Sequence, residues 1–165
     1  MRALILSDTH HSLDRAYEVY EKLNSEKKID AIVHCGDHLR DADELKRELG
    51  IPVISCSGNC DSYEERYIPF NILETEYGNF LVTHGHEYGV DYSLDRLGYK
   101  AEELNCIGAI FGHTHRALYI EENGIIFMNP GSLTRPRDNS GGTYGIIETT
   151  EEGIFGMIYY YGSKQ

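Results

Sequence analysis

The sequence predicts an α/β fold in which two packed β-sheets carry helices on their outer faces. Three observations support this prediction. The first half of the chain alternates short apolar segments with amphipathic segments, a pattern typical of parallel sheets flanked by helices. The second half contains paired strand segments joined by tight turns. Together these segments give about ten strands and about three helices, more than one open sheet holds comfortably.

A βαβ unit is predicted at the start of the chain. Residues 2–6 and 30–34 are short, apolar and rich in branched side chains. Between them, apolar residues recur at helical spacing from Leu13 to Leu23, and Ser12 stands where an N-cap residue is expected. The first two strands are therefore expected to be parallel.

A charged helix is predicted over residues 41–49, where Gly50 ends it, and residues 52–56 form the next strand. This strand continues the alternation of a mostly parallel sheet. Chemistry in such sheets gathers where the strands end.

The second half of the chain is predicted to consist mainly of hairpins. The first hairpin covers residues 71–84, and a helix that is weakened by an internal glycine covers residues 93–104. A strand over residues 106–111 then leads into the motif G-H-T-H. Two further hairpins, over residues 116–129 and 142–161, turn at Asn-Gly and at Glu-Glu-Gly.

The length of 165 residues favours a single domain, 1–165, that can bury a continuous core. No segment resembles a signal peptide or reaches the length of a membrane span. The four cysteines lack the C-x-x-C spacing of structural zinc sites and the density of a disulfide scaffold, so we expect reduced thiols. These features predict a cytoplasmic protein without a membrane partner.

The charge of the chain argues against long nucleic acid as a partner. Lysine and arginine total 15 against 27 acidic residues, for a formal net charge of −12, and no basic stripe is present. Bound divalent ions can reverse the local sign of the charge, so a small anionic substrate is compatible with the composition. The sequence leaves a homo-oligomer open.

The distribution of the eight histidines indicates a metal site. They fall in four clusters that follow or end apolar segments: His10/His11, His34/His38, His84/His86 and His113/His115. Asp8, Asp37 and Asn59 stand at similar places and add carboxylate and amide ligands. Since no cysteine accompanies them at the spacing of a closed structural zinc site, the set favours an open, catalytic centre.

Residue spacing within two motifs also suggests shared ions. Asp8 and His10 lie two residues apart, so at an extended strand end both would project to the same side. The same holds for His113 and His115.

The ordered motifs D-T-H, C-G-D-H, G-N-C-D, T-H-G-H and G-H-T-H resemble those of the calcineurin-like metallophosphoesterases. The short chain and the motif N-P-G-S look most like the small YfcE-type phosphodiesterases. The resemblance covers residues 7–137 and implies a four-layer α/β/β/α sandwich, in agreement with the strand count.

The resemblance also implies a binuclear metal centre. It assigns one ion to Asp8, His10 and His115, the second to Asn59, His84 and His113, and the bridging position to Asp37. Manganese is the preferred metal, with iron, nickel, zinc and cobalt as alternatives. Ions held about 3.5–4 Å apart would acidify a shared water, and the resulting hydroxide would attack the phosphorus of a small phosphodiester in line. About one net positive charge would then remain for the substrate.

Further catalytic roles fall at Asp37 and in the G-N-C-D motif. The resemblance implies such roles for Asp37, Asn59, Cys60 and Asp61. Many members of the family carry histidine at the position of Cys60. The absence of this histidine favours diesters over monoesters as substrates here. The sequence leaves Cys60 open as a loop thiol or as a weak acid near the leaving group, and Asp61 is expected to orient the loop.

Substrate contacts are predicted for His86, Arg135 and Arg137, although loop arginines are often simply solvated. His11, His34 and His38 are as compatible with ordinary surface or core positions as with a role in the metal site.

Three functions are compatible with the sequence. The first is a metal-dependent phosphodiesterase. The second is a phosphomonoesterase or phosphoprotein phosphatase, which would be expected to have histidine at position 60. The third is a non-catalytic scaffold like the retromer subunit of the same fold, which lacks a complete ligand set. The presence of all seven implied ligands favours catalysis.

Overall fold

The computed structural model describes residues 1–62 and 66–162. Over these residues it contains ten strands, three α-helices and one turn of 3-10 helix at His86–Tyr88. The strands are β1 (Arg2–Leu6), β2 (Ala31–His34), β3 (Val53–Ser55), β4 (Phe70–Leu73), β5 (Phe80–Thr83), β6 (Gly108–Ile110), β7 (Ala117–Glu122), β8 (Ile125–Pro130), β9 (Thr143–Thr150) and β10 (Gly153–Tyr160). The helices are α1 (Asp14–Glu26), α2 (Leu39–Leu49) and α3 (Asp95–Glu103). None of these helices has the length and apolar character needed to cross a membrane.

The strands form two mixed sheets of five strands each. The first sheet has the order β10-β9-β1-β2-β3, and the second has the order β4-β5-β6-β8-β7. In the first sheet β1, β2 and β3 are parallel, and in the second β5, β6 and β8 are parallel. Antiparallel hairpin strands complete each sheet, as the turn sequences predicted.

Three apolar cores separate four layers. Alternation along β1 divides its side chains between two of them: Leu4 and Leu6 face α1 and α2, whereas Ala3 and Ile5 face the second sheet. The third core packs α3 through Leu97 against the outer face of the second sheet. The predicted fold class is therefore confirmed as an α/β/β/α sandwich.

Three details of the helices differ from the predictions. Ser12 is not the N-cap of α1, since Leu13 occupies that position and no side chain caps the helix. The Ser12 amide instead donates to the carbonyl of Thr9, which closes the loop after β1. Helix α2 begins at Leu39, two residues earlier than predicted, and α3 is shorter than residues 93–104.

The four cysteines are free thiols, as predicted. Cys35 and Cys56 are buried between the two sheets. Burial raises the pKa of both thiols well above the ordinary value, which keeps them protonated.

Candidate metal centre

The parallel strands of both sheets end at one edge of the sandwich. The loops that follow them carry all seven implied ligands: Asp8 and His10 after β1, Asp37 after β2, Asn59 after β3, His84 after β5, and His113 and His115 after β6. Functional sites of sheets with parallel strands commonly lie at this edge, where the carboxyl ends of the strands meet.

These side chains converge through left-handed backbone and not through extended strand ends. Asp8 and His10 have φ values of 55° and 48°, and His113 and His115 have 69° and 55°. The predicted extended geometry is therefore wrong for both motifs. Left-handed conformations are unfavourable for residues with a Cβ, and such strain is typical of functional sites. The turns send His113 and His115 to different sides of the site, so the two do not form one ligand pair.

Asp8, His10 and His115 form the first group. Nε2 of His115 lies 3.1 Å from Oδ1 of Asp8 and 3.5 Å from Nε2 of His10. Asp8 is fully buried, yet its Oδ1 has no hydrogen-bond partner among the described residues. Three ligand atoms thus face a common point, and one of them is a buried oxygen that needs a positive partner.

Hydrogen bonding fixes the tautomer of His115. Its Nδ1 lies 2.6 Å from the carbonyl oxygen of Arg135, which can only accept, so Nδ1 carries the proton. Nε2 of the neutral ring then presents a lone pair toward Asp8. Burial lowers the pKa of His115, but the adjacent carboxylate outweighs burial and raises it above the ordinary value. Burial likewise raises the pKa of Asp8, while His115 and His84 outweigh it and lower that pKa.

Asn59, His84 and His113 form the second group. Oδ1 of Asn59 lies 3.0 Å from Nε2 of His84 and 3.0 Å from Nδ1 of His113. The other nitrogen of His84 donates to the carbonyl of Cys35 at 2.8 Å, and the other nitrogen of His113 donates to Asp91 at 2.9 Å. In the neutral rings, both nitrogens that face Asn59 therefore carry lone pairs, as the amide oxygen does.

Asp37 lies between the two groups. Its Oδ1 is 3.3 Å from Nε2 of His84, and its Oδ2 is 3.8 Å from Nε2 of His10. Each oxygen of the carboxylate thus faces one group, as a bridging ligand requires.

Two glycines allow the loops to approach this closely. A Cβ at Gly58 would overlap Oδ1 and the backbone nitrogen of Asp37, and a Cβ at Gly112 would overlap the Ser7 hydroxyl. Both positions therefore require glycine, although neither has the left-handed φ that favours it elsewhere.

The chain matches known proteins over most of its length. Residues 1–152 match the family model described as the calcineurin-like phosphoesterase superfamily domain. The chain belongs to the calcineurin-like phosphoesterase superfamily. The resemblance found in its motifs is thereby confirmed.

Named relatives within the superfamily include two bacterial proteins. The probable metallophosphoesterase YsnB of Bacillus subtilis is 33% identical over 147 residues, which cover 89% of this chain and 83% of YsnB. The phosphodiesterase YfcE of Escherichia coli is 26% identical over 169 residues, covering 90% and 88% of the two chains. The crystal structure of a predicted phosphoesterase from Streptococcus pneumoniae TIGR4 is 26% identical, covers 96% of this chain and 88% of its own, and has a TM-score of 0.80.

Cys60 lies at the position where many members of the superfamily carry histidine. Its backbone amide donates to Oδ1 of Asp37 at 3.0 Å, and the residue is exposed. In the metal-free protein, partial burial of the thiol and its hydrogen bond and charge interaction with Asp37 raise the pKa of Cys60 to about 11. The thiol stays protonated at neutral pH and is a poor proton donor.

Asp61 forms hydrogen bonds between two loops near the site. Its carboxylate accepts backbone hydrogen bonds from Gly58 at 2.8 Å and from Leu39 at 2.7 Å. These hydrogen bonds connect the G-N-C-D loop to the first residue of α2, and both oxygens of the carboxylate take part in them.

The residues predicted to contact substrate border both groups. The ring of His86 lies 5.2 Å from that of His84, and neither of its nitrogens has a hydrogen-bond partner among the described residues. Burial is the main cause of the lowered pKa of His10, and the positive charge of Arg135 contributes to it. The charge of Arg137 partly opposes the raised pKa of His115.

The sequence motifs do not reveal the polar network that lies beneath the D-T-H loop. The Thr9 hydroxyl donates to Asp41 at 2.5 Å and accepts from Nε2 of buried His34 at 2.9 Å. Asp41 also accepts the backbone amide of His11 at 2.9 Å, and Nδ1 of His11 lies 3.3 Å from its other oxygen. His34 and His11 therefore support the loop that carries two implied ligands.

The N-P-G-S motif supports two other loops. Nδ2 of Asn129 donates to the carbonyl of Gly112 at 2.7 Å, and the Ser132 hydroxyl donates to the carbonyl of Asp8 at 2.9 Å. Asp91, which holds His113, lies in no motif and could not be found from the sequence.

The donor set fits divalent metal ions. It combines carboxylate, amide and imidazole atoms, and it includes a buried carboxylate oxygen without a partner. Asp8, His10, Asp37 and His115 offer ligand atoms that all lie within 4.8 Å of one another. A mixed shell of this kind suits manganese, iron, nickel, zinc or cobalt.

Proposed function

We propose that this chain is a phosphodiesterase that hydrolyses a small phosphodiester at a binuclear centre of divalent metal ions, with manganese as the preferred metal. One domain carries the whole site in this proposal. The membership in the calcineurin-like phosphoesterase superfamily supports the general chemistry. The metal assignment rests on the side chains of this chain.

The convergence of lone pairs carries the proposal. In each group, imidazole nitrogens face carboxylate or amide oxygens at 3.0–3.3 Å, and while the rings are neutral none of these atoms has a proton for the other. Such an arrangement is repulsive unless a cation lies between the atoms. Asp8, His10 and His115 would hold one ion, Asn59, His84 and His113 would hold the other, and Asp37 would contact both.

Two divalent ions bound at these residues would acidify a water molecule and offset the charge of the phosphoryl group. No protein nucleophile is needed for this reaction.

The residues behind the ligands fix the direction of each ring. The carbonyls of Cys35 and Arg135 hold protons on Nδ1 of His84 and His115, and Asp91 holds a proton on Nε2 of His113. Such outer contacts keep each ring in the tautomer that binds metal and raise its basicity.

Cys60 favours a diester as the substrate. A monoester of an ordinary alcohol releases a poor leaving group and benefits from a proton donor, whereas an activated aryl diester needs less help. A thiol is a weaker proton donor than the histidine for which it stands, which argues against the phosphomonoesterase alternative. The complete ligand set argues against the scaffold alternative. Free cysteines are compatible with a reducing cytoplasm, which we include in the proposal.

Hydrolysis of bis(p-nitrophenyl) phosphate by chelated protein reconstituted with manganese tests the proposal. We expect turnover that requires metal and is lost in Asp8→Asn. The control is Asp43→Asn, an exposed carboxylate that pairs with Arg66 outside the proposed ligand sets, and it should retain turnover. Equal activity in Asp8→Asn and Asp43→Asn, or full turnover in verified metal-free protein, would overturn the proposal.

A further inference from the structure

A large pocket opens beside the second ligand group. Its volume is about 640 Å³, and its lining includes Asp91 and Thr114. Asp91 is the hydrogen-bond partner of His113, and Thr114 lies between His113 and His115 in the chain. The pocket is therefore contiguous with residues that position the proposed metal ligands.

Two arginines line this pocket. For the guanidinium groups of Arg116 and Arg137, no ion pair or hydrogen bond occurs within residues 1–62 and 66–162. The acidic residue of the lining, Asp91, directs its carboxylate to His113. The two guanidinium groups thus remain available to a ligand, in a chain whose formal net charge is −12.

Part of the pocket lining is apolar and aromatic. It is formed by Val90, Tyr92, Leu94, Phe111 and Leu118. The Tyr92 side chain is 94% exposed, so its ring is available for stacking on a planar group.

We infer that this pocket binds one organic substituent of the phosphodiester, and that this substituent is a planar ring bearing a second anionic group. The inference rests on the proposed function, because it places the phosphodiester at the metal centre. The ring packs on the apolar and aromatic residues of the lining, and the second anion, a carboxylate or a phosphate, pairs with Arg116 and Arg137. Arginine suits both anions because its planar fork binds their oxygens in pairs.

Long-range charge cannot produce this preference. The acidic chain as a whole repels an additional anion, so a gain in affinity from a second anionic group must come from local cations. The proposed metal ions attract any anion. Variants of the two arginines separate the contribution of the pocket from that of the metal ions.

Calorimetric titration of manganese-loaded protein tests the inference without requiring turnover. The probes are phenyl phosphate, 3-carboxyphenyl phosphate and 1,3-phenylene bisphosphate. The last two probes carry a second anionic group, a carboxylate or a phosphate. We expect at least one of them to bind about tenfold more tightly than phenyl phosphate. Comparison of these two probes identifies the preferred anion.

The variants Arg116→Gln and Arg137→Gln should reduce this ratio of affinities toward one. Arg47→Gln removes the same charge from the end of α2, where Arg47 pairs with Glu48, and should leave the ratio unchanged. Equal affinities of all three probes in the wild-type chain, or a ratio that neither pocket variant changes, would overturn the pocket assignment. If the preference is present but no diester is hydrolysed, the proposed reaction fails and the pocket assignment stands.

Discussion

Nε2 of His84 lies 3.0 Å from Oδ1 of Asn59, and both atoms present lone pairs to the space between them. The cause is the carbonyl of Cys35, which holds the only proton of the neutral ring on Nδ1. A comparable contact joins Asp8 and His115 at 3.1 Å. The fold therefore holds like-polarity atoms together at two points, and metal ions should stabilise it.

Metal removal should lower the stability of the chain. Each ion that binds only the folded state adds about 2.7 kcal/mol when free metal exceeds the dissociation constant a hundredfold. Thermal unfolding with manganese and with a chelator measures this difference, which should shrink at acid pH because protons compete with metal for imidazole ligands. An unfolding temperature that is unaffected by metal would contradict the expectation.

Asp37→Asn should have opposite effects on the two forms of the protein. Without metal, the substitution removes the charge of one of three buried aspartates, Asp8, Asp37 and Asp41, and keeps an oxygen that can accept from Cys60, so the metal-free protein should be as stable as wild type or more stable. With metal, loss of the bridging charge should weaken binding by more than about 100-fold, beyond the range typical of outer contacts.

Calorimetry and chemical unfolding measure both effects of Asp37→Asn. A variant that binds two ions with wild-type affinity would refute the bridging role.

Thr9→Val should weaken metal binding through the loop that carries Asp8 and His10. It removes the hydroxyl between Asp41 and His34 and should cost about 1–3 kcal/mol of stability. It should also lower metal affinity by about 10–100-fold, as loss of an outer contact does. Thr149→Val is the control, since it removes a hydroxyl that donates to Glu76 at 2.6 Å far from the site. Both variants should lose stability, but only Thr9→Val should lose metal affinity in a metal titration.

Cys60→His should increase the hydrolysis of alkyl monoesters relative to diesters. A protonated histidine at this position is a stronger proton donor to a poor leaving group than a thiol, whose ordinary pKa is about 8.5. General acid catalysis contributes about 10²–10⁴-fold, so the ratio of monoester to diester turnover should rise by at least about tenfold. Assays of matched alkyl and aryl esters at equal metal occupancy check this ratio. Wild-type protein that already prefers alkyl monoesters would disprove the role assigned to position 60.

The four layers could be predicted from the sequence because local patterns specify them. Alternation in β1 and the Asn-Gly turn between β7 and β8 depend on neighbouring residues, and the structure follows both. The ligand motifs were recognisable for the same reason: each lies in one short segment.

The backbone geometry and the supporting contacts could not be predicted in this way. Asp8 has a left-handed φ of 55°, and its backbone contacts residues that are distant in the sequence. One such contact is the hydrogen bond from the Ser132 hydroxyl to the Asp8 carbonyl. The contact of Asp91 with His113 joins residues 22 positions apart that no local pattern connects. The N-cap prediction at Ser12 failed because the loop after β1 uses that residue for its own hydrogen bond.

Anomalous diffraction from crystals of the manganese-loaded protein, recorded above the manganese absorption edge, tests the metal centre most directly. We expect two peaks about 3.5–4 Å apart. One should lie among Asp8, His10 and His115, the other among Asn59, His84 and His113, with Asp37 between them. A single peak, or peaks that lie away from Asp37 under metal-replete conditions, would contradict the binuclear centre.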